Sequence, residues 1–416
     1  MSFAFGVVLF ALGILVSVSL HEAGHMLTAK AFGMKVTRYF VGFGPTLWSF
    51  KRGETEYGIK GIPLGGFCKI VGMTPQDDDV EPGDEKRAMW RYPVWKRTIV
   101  MSAGSATHFA LAIFAAWLAA MTFGLPNPDR PTTEAQVRAE PAVIALQNCV
   151  LPDTTYRECA AGDAASPAAA AGLRNGDRIT SLNGTPINSY GELLTTLRAT
   201  TPGSTANIGY VRDGQPGTTE TVLATTKRPP IDNPDGPVTD VSALGVGLIL
   251  STPGLVTYGP VEAVGATSDF IGDMAVATAQ ALQRLPEKIP ALWTAITGGE
   301  RDMDTPISVV GASILGGEAV ANDAWEIFVM LFISLNFFIG VFNLLPLLPL
   351  DGGHIAIAWF ERARSWVYAR LRRPDPGRVD YFKLMPFTYV VILIGGVFTL
   401  LTITADVVNP ITLFTR

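Results

Sequence analysis

The chain has 416 residues, 48% of them hydrophobic and 17% charged, with a net charge of −5. Soluble domains are about a quarter charged, so a large share of this chain does not face water. The mildly acidic balance excludes a basic nucleic-acid-binding footprint and leaves no nucleic-acid partner to expect.

Residues 1–32 open with an uncharged apolar run, roughly Phe3–Ala29, long enough to cross hydrocarbon. Its leading MSFAFG carries no positive charge and no small-residue cleavage site ends the run, so a retained span is expected, not a signal peptide. Residues 33–73 alternate aromatic and β-branched residues with Gly and Gly-Pro turn signals, which predicts short strands and hairpins forming a membrane-associated β region. Residues 74–97 turn acidic and then basic-aromatic as a lead-in to a second span, roughly Thr98–Leu125, within 98–125. Residues 126–160 read as a linker.

The stretch 161–230 then reads as helix, turn, strand, turn, helix, followed by two strands joined by Asp213-Gly214. GLRNGD (172–177) and LNGTPI (182–187) give it a resemblance to a bacterial PDZ domain, which implies peptide capture by strand addition. Residues 231–322 read as a connector with an amphipathic helix around 274–296. A third membrane region covers 323–360, with its apolar run near Ala324–Pro349; 361–385 is a basic loop, 386–408 a fourth span, and 409–416 a tail. The expected fold is thus a polytopic α-helical membrane protein of about four transmembrane helices. It carries a membrane-associated β-hairpin or sheet region and an extracytoplasmic PDZ-like α+β domain.

Lys and Arg set orientation. Segment 30–97 holds twelve of them in 68 residues and 361–383 holds seven, while 123–322 spreads twelve over 200. The first two segments are therefore expected in the cytoplasm and the long one outside. Cys149 and Cys159 fall in the outside segment, where an oxidising compartment permits a disulfide; Cys68 falls inside, as a reduced thiol.

The first span ends SVSLHEAGHM (17–26). Ionisable residues within a membrane helix are costly and mark function. On a helix His21 and His25 share a face, so both can meet one metal while Glu22 approaches a bound water as general base. Two imidazoles and a carboxylate with one open position make a catalytic zinc site. Asp351 follows Pro346 and Pro349 and precedes Gly352-Gly353, and it is the acidic residue in the core of the third membrane region. It reads either as the third ligand or as the N-cap of the next helix, and the two readings are compatible.

HEAGH in the first span, with Asn343-Leu-Leu-Pro346-Leu-Leu-Pro349-Leu-Asp351-Gly352 later, resembles the paired signature of site-2 proteases, the intramembrane zinc metalloproteases. A single PDZ-like stretch, GFGP (42–45) and IPLGGF (62–67) make the chain look most like the single-PDZ actinobacterial group. The resemblance implies one Zn2+ on His21, His25 and Asp351, with Glu22 as base. It implies Asn343 near the substrate backbone or oxyanion, and strand 58–67, with Gly58, Gly65 and Gly66, as a clamp on an extended substrate. Asn336, two turns before Asn343 on the same face, is a second polar candidate. One departure stands out: the Gly-Pro-x-x-Asn usual in the second span reads Gly104-Ser105-Ala106-Thr107-His108. His108 then serves as a hydrogen-bond donor near the site, as an added ligand, or as a paired histidine of the bundle interior; the last is taken here.

The implied activity is cleavage of single-pass membrane proteins such as anti-sigma factors, after trimming by a site-1-type protease. It takes place in the bacterial cytoplasmic membrane, with the active site toward the cytoplasmic side. Two rivals are a catalytically silent membrane scaffold with a capturing PDZ domain and a metal transporter. The intact His21, Glu22, His25 and Asp351 weigh against the first, and the absence of repeated halves weighs against the second.

Overall fold

A computed structural model describes residues 2–73, 80–81, 83–154, 157, 159–233, 236–299 and 301–414; the acidic stretch 74–79 of the expected lead-in lies outside them. The described residues divide into two compact units, 126–256 and the remainder. In the larger unit four helices are long and apolar enough to cross a bilayer: α1 (Ser2–Ala31), α2 (Val94–Thr122), a helix at Trp325–Asn343 and one at Tyr381–Val408. Each of the four apolar stretches read from the sequence forms one of them. α1 stops where Gly33 takes a φ of 85° and its N–H turns back to the Lys30 carbonyl, a left-handed helix end that suits glycine.

Between α1 and α2 lie two long bent strands, β1 (Val36–Arg52) and β2 (Thr55–Ile70). They double back on themselves. Residues 36–41 pair with 66–70 and also lie beside 56–59, while 46–52 pair with 55–60. The bends fall at Gly42 and Gly44, with φ of 89° and 81°, and at Gly65, with φ of 98°. The small sheet expected over 33–73 is there. Gly58 has a partner on both sides, Phe40 and Ser49, and so does Ile59, so no strand can be added at either; of the 58–67 stretch expected as a clamp, Lys60, Ile62, Gly66 and Phe67 are paired on one side only among the described residues.

The 126–256 unit is wider than the 161–230 segment marked by its motifs. Residues 126–160 are not a structureless linker. Helix α3 (Glu134–Ala139) starts at a Thr133–Gln136 capping box, and Ile144–Leu146 pairs with Val246–Leu248. Pairing of Ala224–Arg228 with Thr239–Ala243 likewise draws in residues assigned to the connector. Sequence motifs mark turns, and antiparallel partners of a strand need no motif, which is why the boundaries moved. Within the unit α4 (Pro167–Ala170), strand Arg178–Leu182 and α5 (Tyr190–Ala199) follow in the expected order. Strands Thr205–Arg212 and Gln215–Val222 are joined through Asp213 and Gly214, with φ of 49° and 79°, as the two-residue hairpin turn requires. Ile179, Leu182, Leu193, Leu197 and Ile208 form the core. Asp177 of GLRNGD is buried and ion-paired to Arg212 at 2.7 Å. Burial works to raise its carboxyl, but the Arg212 guanidinium and the Arg174 amide outweigh this and hold it below the ordinary value. Cys149 and Cys159 are joined by a disulfide.

The larger unit resumes with α6 (Glu262–Arg284) and α7 (Ile289–Ile296), the expected amphipathic stretch broken near Pro286. Next comes α8 (Val309–Ala321), an apolar helix that the connector assignment overlooked because, at thirteen residues, it is too short to span. It packs closely on α1. A methyl group added at Gly6 would meet Val320 and the Gly317 backbone at 2.8–2.9 Å, so small residues at both surfaces set this approach. The spans α9 (Trp325–Asn343) and α11 (Tyr381–Val408) are separated by α10 (Asp351–Arg370). α9 ends at Asn343 and not at Pro349, because Pro346 and Pro349 cannot continue a helix. α10 runs on to Arg370, so the first ten residues of the supposed 361–385 loop are helical; ERARSWVYAR holds good helix formers and no Gly or Pro.

The far end of α11 is tied down by a buried pair, Arg301–Asp406, at 2.6 Å with both side chains 2% exposed. Arg301 also donates to the Asn409 and Pro306 carbonyls, and Asp406 accepts from the Ser308 N–H. Replacing Asp406 with alanine strands the guanidinium and should destabilise the fold by about 3–5 kcal/mol. Thermal unfolding of the full-length protein should show this as a clear fall in midpoint, with a smaller fall when Arg301 and Asp406 are both replaced by leucine.

Candidate metal centre

HEAGH occupies the last third of α1, and its spacing does what a 3.6-residue repeat requires: the two imidazoles stand one turn apart on one face. The break between α9 and α10 delivers the carboxylate. Gly352 and Gly353 let the first turn of α10 press onto the Leu344–Leu348 backbone. An added Cβ at Gly352 would overlap the Leu344 and Leu345 carbonyls, and at Gly353 it would lie 2.7 Å from the Leu347 carbonyl carbon. Asp351 is thereby aimed at α1.

The three donors converge. His21 Nε2 and His25 Nε2 are 3.1 Å apart, and Asp351 Oδ2 lies 3.3 Å from each. Both histidines are buried, at 7% and 6% exposure, and Asp351 is half-buried. Tetrahedral zinc with bonds of about 2.0–2.2 Å holds its ligands roughly 3.3–3.6 Å apart, so this triangle matches one face of such a site. The hydrogen bonding agrees. His25 Nδ1 lies 2.7 Å from the Val100 carbonyl, which can only accept, so Nδ1 carries the proton and Nε2 presents a lone pair. Asp351 Oδ2 is buried with no hydrogen-bond partner among the described residues. Buried polar atoms are rarely left so, and a cation between the three donors would satisfy them together. The residues present fit zinc.

Glu22 is half-buried and close enough to His25, His21 and Asp351 to interact with all three; the Cys68 N–H donates to its carboxylate. A Cβ on Gly66 would sit 3.5 Å from Glu22 Cγ. Gly66 is paired on one side only, to Val41, among the described residues, so an edge of the small sheet borders the carboxylate. Gly65 packs against the Phe43 ring. Asn343 is half-buried, and its side chain has no hydrogen-bond partner among the described residues.

Asn336 is placed differently from the expectation. It is 1% exposed, its Nδ2 donates to the Phe332 carbonyl, and its Oδ1 lies 2.9 Å from His108 Nδ1. Each end of the carboxamide has a protein partner and the side chain is buried, so it holds His108 and does not face open space. His108 is itself buried, with its ring centroid 5.2 Å from that of His21, and it stands outside the three-donor cluster. This is the paired interior histidine among its three readings.

Gly104, the first residue of the altered second-span motif, was assigned no role there. A Cβ there would lie 2.5 Å from His21 Cε1 and 2.6 Å from His21 Nε2, and would also overlap His25 Nε2. Gly24 faces Ala103 equally closely, with 2.6 Å from an added Cβ to the Ala103 carbonyl oxygen. The signal that could have found Gly104 is a glycine in the apolar run of the second span, where small residues mark close helix contacts.

Comparison with known proteins bears on the same residues. The model of "Peptidase family M50" matches residues 9–372. A protein from Mycolicibacterium smegmatis named "Zinc metalloprotease Rip1" is 46% identical over 418 residues, covering 100% of both chains. One of the same name from Mycobacterium tuberculosis is 45% identical, again with 100% coverage of both. A more distant relative from Mesorhizobium japonicum, named "Putative zinc metalloprotease mll0638", is 31% identical over 89% of this chain and 90% of its own. A solved PDZ domain from Listeria monocytogenes covers 20% of this chain and 77% of its own at 21% identity, with a TM-score of 0.16 that carries no argument.

Proposed function

Because the chain belongs to peptidase family M50 and is a zinc metalloprotease of the membrane, we propose that it is an endopeptidase cutting single-pass transmembrane proteins inside the bilayer. The cut falls toward the cytoplasmic side, and anti-sigma factors already trimmed by a site-1-type protease are the substrates. The observation that carries this reading is the meeting of His21, His25 and Asp351, on helices of spanning length and the helix α10 that follows one, beside the Glu22 carboxylate, which stands outside the three-donor cluster.

In this reading His21, His25 and Asp351 hold one Zn2+. When bound, zinc supplies a Lewis acid that brings the pKa of water to roughly neutral and polarises a carbonyl. Glu22 removes the proton from the attacking water and passes it to the leaving amine, the transfer a general base adjacent to the metal performs. The Val100 carbonyl keeps the His25 ring in its ligating tautomer. Asn343, with a free carboxamide, donates to the substrate backbone. A transmembrane helix must unwind before its carbonyls can be attacked, and the sheet edge at Gly66 pairs with the unwound segment by main-chain hydrogen bonds beside Glu22.

The 126–256 unit serves as the extracytoplasmic PDZ-like filter. Within it a cavity of about 970 Å3 is lined by Leu194 and Leu197 of α5 and Val246 together with Asn148, Arg198 and Arg228, a mixed apolar and polar seat for an extended peptide. Comparing membrane proteomes of cells making the wild type or Glu22→Gln tests the reading. Truncated single-span fragments should accumulate with the variant, and identical fragment sets in the two cell lines would overturn it.

A further inference from the structure

The C-terminal half of α10 has a surface that the proteolytic site does not use. Helix α10 is 20 residues long, about 30 Å, yet Asp351, Glu361, Arg362, Arg364 and Arg370 keep it from being an apolar span. One face is fastened to α2 by Glu361, which pairs with Arg97 at 3.3 Å, while Trp359, 51% exposed, reaches round to donate its indole N–H to Thr98 Oγ1 at 3.0 Å. The opposite face is bare. Phe360 and Trp366 are each 58% exposed and Leu371 59%. The Arg370 guanidinium stands 5.0 Å from the Trp366 ring, and that of Arg364 5.5 Å from the Phe360 ring.

Arg362, Arg370 and Arg373 are exposed and have no carboxylate partner among the described residues. A soluble protein would cover such aromatics or pair such cations. Exposed Trp, Phe and Leu interleaved with unpaired arginines along one helix face are the composition of a helix lying in a membrane interface. Its place in the chain agrees, because α10 sits between two helices of spanning length, α9 and α11, and so meets the bilayer boundary. The neighbouring start of α2 repeats the chemistry: Trp95 is 52% exposed beside Lys96, and Arg378 lies over the Trp90 ring.

We infer that the exposed face of α10 from Trp359 to Arg373 binds the headgroups of anionic phospholipids in the surrounding bilayer. The rings enter the headgroup–acyl boundary, and Arg362, Arg370 and Arg373 take the phosphates. Guanidinium groups suit this task because their planar fork matches a phosphate. The helix that ends on this face begins at Asp351, so lipid contact and the carboxylate of the metal centre are carried on one uninterrupted rod. Tight packing of Gly352 and Gly353 keeps its first turn fixed on the preceding loop.

The test uses the full-length protein in vesicles of phosphatidylcholine mixed with phosphatidylglycerol, with bromine on the acyl chains of one lipid or the other. The fluorescence difference between wild type and Trp366→Phe isolates Trp366. Brominated phosphatidylglycerol should quench it at least about twofold more than brominated phosphatidylcholine at equal mole fraction, and the excess should shrink as salt is raised. Replacing Arg362, Arg370 and Arg373 together with glutamine should abolish the excess, and lysine at the same positions should restore it. Equal quenching by the two lipids, an excess that survives the glutamine variant, or no quenching of Trp366 at all would overturn the inference. The last outcome would point to a protein partner on this face. Cleavage plays no part in the readout, so failure here leaves the proteolytic reading standing.

Discussion

Replacing Glu22 with glutamine should leave one zinc per chain and lower peptide hydrolysis by about 10²–10⁴-fold, the range over which a positioned general base acts. Glutamine matches glutamate in size, and the ligand triangle of His21, His25 and Asp351 does not include residue 22, so the metal should remain. The change removes only the ability to take a proton. Elemental analysis of the purified variant and its rate on a single-span model substrate check the two halves separately. Wild-type cleavage would remove Glu22 as the base; loss of zinc would mean that it belongs to the coordination set. Asp351→Ala provides the contrast, because it deletes a ligand and should empty the site.

Gly104→Ala should lower zinc affinity by about 10–100-fold or more, although residue 104 touches no metal. That range is the usual effect of disturbing the groups that orient ligands, and the disturbance here is steric. The added methyl would overlap the His25 ring and sit 2.6 Å from His21 Nε2. Either both rings turn away from Asp351, or α2 retreats from α1 and draws the Val100 carbonyl off His25 Nδ1. Competition with a chelator measures the affinity, and thermal unfolding of the metal-free protein separates a displaced site from a damaged fold. Unchanged affinity would mean that the rings tolerate the methyl and that the slot at Gly104 does not position them.

Both expectations draw on information of different range. The four spans, the shared face of His21 and His25, the Asp213-Gly214 hairpin and the proline break before Asp351 were readable directly, because each depends on residues within one or two turns of one another. Hydropathy answers to the solvent, and turn chemistry to local backbone sterics, so neither needs to know the rest of the chain. The donor set read from HEAGH and Asp351 lies together, whereas the two asparagines expected on one face of α9 differ in their surroundings. Asn336 faces His108 instead of open space, a distinction of rotation about the α9 axis that no periodicity in α9 reveals.

What remained hidden depends on which surfaces interlock. Gly104 matters only because two imidazoles occupy the room its missing side chain leaves. Gly58 cannot accept an added strand only because the sheet folds back and pairs it twice, and the 126–256 unit is larger than its motifs because strands find partners far along the chain. Composition and short-range spacing thus mark which segments form helices long and apolar enough to cross a membrane and which side chains offer metal-ligand atoms. The depth of contact between helices, the choice of sheet edge beside Glu22 and the aim of Asp351 were decided by packing, since close contact is a property of two surfaces together and neither segment encodes it alone.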